Sequence, residues 1–112
     1  MDSIEKRLDE LRRISKQYAK AAADYEYLDE FKKSKIAMLM QTAELNGCAT
    51  AVSQEREARA HPDYRKLLVA KKHAKEVAER LRWELEIAKL GASLWQTKQA
   101  MKREEMRQYG NS

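Results

Sequence analysis

Gly47, Pro62, Gly91 and Gly110 are the only glycines and proline in this 112-residue chain, and none falls within the first 46 residues. Sandwiches, barrels and βαβ folds need a turn signal roughly every ten residues, together with β-branched runs. This chain has neither. Isolated Ile, Val and Thr are scattered among Ala, Leu, Glu, Lys, Arg and Gln, the residues that lose least on entering a helix. The scarcity of breakers therefore predicts an all-α protein of very few, long helices. The length suits one domain and is too short for two.

Helix one is expected over about 2–46. Asp2 or Ser3 supplies a cap, and Asn46-Gly47 the residues that tolerate a left-handed C-terminus. Ile4, Leu8, Leu11, Tyr18, Ala22 and Tyr25 recur at steps of four and three, with Ser15 the one polar interruption, which predicts a coiled-coil seam. Beyond Tyr25 that spacing meets Asp29 and Lys32. The stripe then passes to Leu28, Phe31, Leu39 and Ala43, a broader face. Residues 47–61 form a connector in which Thr50 or Ser53 could cap a short helix. His61-Pro62-Asp63 marks the start of helix two, since proline suits the first turn and Asp63 complements the dipole there. Helix two is expected over about 62–109. Two nearly equal arms joined by a short connector predict a long antiparallel, coiled-coil-like hairpin.

Helix two carries two apolar stripes. One is Leu67, Ala74, Ala78, Leu81, Leu85, Ala88, Ala92 and Trp95; the other is Trp83, Ile87, Leu90 and Leu94. At about 100° per residue they lie on roughly opposite faces. One stripe serves the hairpin, so the second is expected to be an oligomer interface, most simply of a homodimer forming a four-helix assembly. A thin hairpin buries too little surface to stand comfortably alone, which points the same way. Gly91-Ala92-Ser93 would allow close approach there. Two blander readings are that the connector folds over this face, or that Gly91 breaks the helix.

Charged residues make up 37% of the chain and the net charge is +5. Residues 1–46 hold nine basic and nine acidic side chains, so the whole excess belongs to residues 47–112. Lys71, Lys75, Arg82 and Lys89 fall in one arc of helix two, with Arg65 and Lys72 near it. Lys98, Lys102, Arg103 and Arg107 would extend the line, which makes it a candidate nucleic-acid contact. The competing reading is a solvated face, because Lys75 with Glu79, Lys72 with Glu76 and Glu86 with Lys89 stand at helical pair spacing. Tyr18, Tyr25, Tyr27 and Tyr64 read as core or boundary positions.

No catalytic or metal-binding constellation emerges. His61 and His73 lack a second histidine or cysteine at ligand spacing, and no glycine-rich phosphate loop is present. His61 reads as a cap-region residue, and Cys48, the single cysteine, as a packed connector residue compatible with a reducing compartment. The paired carboxylates Asp29-Glu30 and Glu104-Glu105 are ordinary helix charges. The expectation is a non-enzymatic protein without cofactor or metal. The charged start and the short uncharged runs predict no signal peptide and no membrane span, hence a cytoplasmic location.

The stretches YEYLDEFKKSKIAMLM (from Tyr25), ATAVSQEREARAHPDYRKLL (from Ala49) and LRWELEIAKLGASLWQTKQA (from Leu81) resemble a group of small phage and prophage proteins of unknown function. The likeness runs from about Tyr25 to about Glu105. Its distinctive elements are the Ser53–Glu57 run, His61-Pro62 with Tyr64, and Leu81-Arg82-Trp83 with Trp95. The resemblance transfers no site residue. It implies a phage origin, with the host cytoplasm as location, and similar proteins are encoded near phage recombination genes. The leading expectation is a phage helical assembly or adaptor protein acting through helix–helix contacts. The alternative is an accessory DNA-binding protein in phage recombination or DNA metabolism.

Overall fold

The computed structural model describes residues 3–110. Among the described residues it consists of three helices and no strand: α1 (Ser3–Leu45), α2 (Ala51–Ala60) and α3 (Pro62–Gly110). The all-α helical hairpin with a short helical connector is what the scarcity of breakers predicts. The expected capping by Asp2 or Ser3 lies outside the described side chains.

Each junction follows from its residues. Gly47 has φ +105°, the left-handed conformation that an L side chain resists. That lets its N–H reach the Glu44 carbonyl at 3.1 Å and the Cys48 N–H reach the Ala43 carbonyl at 3.0 Å, closing α1 in a Schellman turn. Thr50, in extended backbone, accepts from the Ser53 N–H through its hydroxyl. The Ser53 Oγ in turn accepts from the Thr50 N–H, so both stray donors at the start of α2 are satisfied. Gln54 Nε2 donates to the Cys48 carbonyl at 3.0 Å and ties α2 back to the turn. His61 precedes proline and is extended, with ψ 138°, which ends α2. Its Nδ1 accepts from the Asp63 N–H at 3.0 Å, so the imidazole acts as N-cap of α3.

The chain divides into two compact units, Ala19–Glu79 and the pairing of Met1–Tyr18 with Arg80–Ser112. In the first, Leu39, Ala58 and Tyr64 are buried together, with Ile36 and Met40 packed against them, so each of the three helices contributes to one core. Lys71 meets Asp29 and Lys35 meets Asp63, which sets α1 and α3 antiparallel there. In the second unit Arg7 lies against Gly91, while Ile14 lines a shallow groove with Glu84, again antiparallel.

On α1 the expected Ile4, Leu11, Tyr18, Ala22 and Tyr25 are half-buried, and the later stripe of Leu28, Phe31, Leu39 and Ala43 holds. The seam positions expected at Leu8 and Ser15 fall one residue earlier. Ile14 is 3% exposed and Ala21 is buried, whereas Leu8 is 44% exposed and Ser15 is exposed. The inward positions are Ile4, Arg7, Leu11, Ile14, Tyr18, Ala21, Tyr25 and Leu28, an unbroken alternation of three and four. Arg7 is its one polar member. On α3 the expected seam holds throughout, with Leu67, Ala78 and Leu81 buried and Ala74, Leu85, Ala88, Ala92 and Trp95 half-buried. Tyr64 is buried, and Tyr18 and Tyr25 are half-buried, as a core or boundary reading requires. Tyr27 is not: it is 66% exposed and stacks on Phe31 with ring centroids 5.9 Å apart.

Candidate functional site

The second stripe of α3 lies open. Trp83 is 58% exposed, Ile87 67%, Leu90 61%, Leu94 59% and Met101 60%. Scattered exposed leucines are ordinary on a surface, but five large apolar groups in one helical line are not. Their steps are four, three, four and seven, so they occupy alternate core positions of a heptad with Thr97 between Leu94 and Met101. The helix runs through Gly91 without a break. Nor is the stripe covered, as the exposure of each of its members shows. The two blander readings of this stripe, a helix broken at Gly91 and a connector folded over it, do not match a continuous α3 whose stripe is exposed.

Arg80 and Glu84 pair along the helix at 3.5 Å, and Glu86 with Lys89 at 3.4 Å, so the stripe is bordered by charges. The Arg82 guanidinium lies 5.0 Å from the Trp83 ring centroid and shields one side of that indole. From Gln96 to Gly110, α3 is exposed apart from half-buried Gln99.

Gly91 has a local role. A Cβ there would stand 3.3 Å from Arg7 Nη1, so the glycine makes room for a guanidinium lodged in the seam. Arg7 Nε is buried without a hydrogen-bond partner. A cation at a seam position, flanked by the apolar Ile4 and Leu11, costs stability and fixes register.

The candidate nucleic-acid residues are engaged within the fold. Lys71, its side chain 20% exposed, donates to Asp29 at 2.7 Å. Lys71 and Lys75 also lie 5.8 and 4.9 Å from the Tyr25 ring centroid, and Lys75 pairs with Glu79 at 3.5 Å. The hydrogen bond from Lys71 holds the Asp29 carboxyl below its ordinary value, and Asp29 holds the Lys71 ammonium above its own. Of the predicted solvated pairs, Lys75–Glu79 and Glu86–Lys89 form, and Lys72–Glu76 does not. Sequence reasoning missed the Tyr25–Asp29 ledge because both residues belong to α1 while the lysines belong to α3. Lys98, Lys102 and Arg103 are exposed near the end of α3, and Arg107 pairs with Glu104 at 2.8 Å.

His61 is committed to its cap, His73 is exposed and Cys48 is a half-buried free thiol. Among the described residues no group of three metal-ligating side chains gathers, and no helix is long and apolar enough to cross a membrane. No family model matches the chain, and no curated protein or solved structure matches it either.

Proposed function

We propose that this chain is a non-enzymatic helical assembly or adaptor protein that works by helix–helix contact through the exposed stripe of α3. The observation that carries this reading is the line Trp83, Ile87, Leu90, Leu94 and Met101, each more than half exposed on a helix whose opposite face already serves the hairpin. Burying such side chains is worth on the order of 1 kcal/mol or more apiece. Held open, they stand as a cost that a second helical surface would turn into binding. The coiled-coil spacing specifies the chemistry of that surface: another helix presenting apolar groups at the same period.

A second reading, accessory nucleic-acid binding, draws on Lys98, Lys102 and Arg103, exposed near the end of α3, and on the resemblance to phage proteins. The neutralisation of Lys71 by Asp29 weakens it along the Lys71–Lys89 edge. Light scattering followed by titration of the same sample with labelled single- and double-stranded DNA at two salt concentrations separates the two. A species heavier than 13.1 kDa with no DNA binding at low salt supports assembly. DNA binding that collapses as salt rises makes the nucleic-acid reading the better one.

A further inference from the structure

We infer that the occupant of the α3 stripe is the α3 stripe of a second copy, docked antiparallel about a two-fold axis passing near Ala92. The inference rests on the assembly reading above and adds the partner's identity, direction and register.

The stripe matches a reversed copy of itself. In an antiparallel pair of helices each core residue faces one from the opposite end of its partner's seam. With the axis near Ala92, Trp83 faces the partner's Met101, Ile87 faces the partner's Thr97, and Leu90 faces the partner's Leu94. Every exposed apolar member of the stripe then meets another or the methyl-bearing Thr97. The flanks agree with the core. Arg80, one turn before Trp83, comes opposite the partner's Glu104, and Glu84 comes beside the partner's Lys98. The two-fold makes each of these opposite-charge pairs occur twice. Arg80 and Glu84 now satisfy each other only at 3.5 Å and in solvent, so both are available for new partners.

The alternatives match poorly. A parallel, in-register pair stacks Arg80 on the partner's Arg80 and Glu104 on the partner's Glu104. Sliding the antiparallel pair by one heptad in one direction sets Ile87 against the partner's Glu104. Sliding it the other way sets Arg80 against the partner's Thr97 and leaves Met101 beyond the partner's stripe. Only the register about Ala92 gives every exposed apolar member of the stripe an apolar or methyl-bearing partner and joins positive to negative at both ends.

Ser93 is the diagnostic position. It lies on the flank of the stripe beside the axis, so in this register it faces the partner's Ser93, whereas in a parallel pair the two are on opposite sides of the seam. In the full chain with Cys48→Ala, Ser93→Cys is expected to convert to a disulfide-linked dimer with oxidised glutathione, while Lys16→Cys, on the exposed side of α1, stays reduced. Independently, Lys98→Glu is expected to weaken the dimer about tenfold, and adding Glu84→Lys to restore most of it. Circular dichroism confirms that each variant keeps its helices. A dimer in which Ser93→Cys cross-links no faster than Lys16→Cys, with no rescue by the charge swap, overturns this register and leaves the assembly reading standing. A wild-type chain that stays monomeric overturns the inference together with the reading beneath it.

Discussion

The Lys71 ammonium lies 2.7 Å from the Asp29 carboxylate, bridging α3 to α1 one helical turn beyond the point where Tyr25 meets Lys75. The carboxyl is held below its ordinary value by the hydrogen bond from Lys71, so its contribution to stability is present above that ordinary value and fades as pH falls through the lowered one. The ammonium is held above its ordinary value, so its contribution is complete below that value and fades as pH rises through the raised one. Both are intact across the neutral range.

Asp29→Asn is therefore expected to lower the melting temperature at pH 7 and to flatten its decline below about pH 4 relative to wild type. Thermal melts followed by circular dichroism over pH 3–7 check this. Parallel wild-type and variant curves would show that the pair contributes nothing.

A second prediction concerns Arg7 and Gly91. The guanidinium holds a seam position with its Nε unpartnered, so Arg7→Met is expected to stabilise the chain by about 1 kcal/mol. Gly91→Ala gains about 1 kcal/mol of helix propensity, less the cost of moving Arg7 Nη1, which stands 3.3 Å from the new Cβ at the end of a flexible side chain. The gain from Gly91→Ala should be larger in the Arg7→Met background, where nothing has to move. Urea unfolding of the four chains measures all three effects, and a loss of stability in Arg7→Met would contradict the first.

The turn between α1 and α2 supplies a third. Nothing lies within 4 Å of a Cβ built on Gly47, so Gly47→Ala is opposed only by its φ of +105° and should cost about 1 kcal/mol. Thr50→Ala removes the cap of α2 and should cost a similar amount, about 1 kcal/mol. Because Ala58 of α2 completes the core with Leu39 and Tyr64, both losses should appear as a lower urea midpoint, not as local fraying alone.

Helix boundaries and junction chemistry were legible in the residues because they depend on local rules: Gly47, Thr50 and His61-Pro62 each perform the capping or terminating role their type suggests. The α3 seam was legible too, since its alanines and leucines keep one spacing from Leu67 to Trp95. The phase of α1 was not. From Ile4 the next seam residue can be Arg7 or Leu8, and hydrophobicity alone selects Leu8. That choice leads to Ser15 and then to Asp29, whereas admitting one arginine leads through Ile14 and Ala21 to Leu28 without a further polar residue. What admits Arg7 is Gly91 on the other helix, a tertiary fact. The exposed stripe was visible as a pattern, but its exposure is a tertiary fact that only the fold supplies.

Solution mass tests most directly whether the α3 stripe holds chains together. Light scattering of the wild-type chain should give a species of twice 13.1 kDa, and Leu90→Lys combined with Leu94→Lys should return it to 13.1 kDa with its helical circular dichroism intact. A wild-type mass of 13.1 kDa at high concentration, or a dimer that survives both lysines, would contradict it.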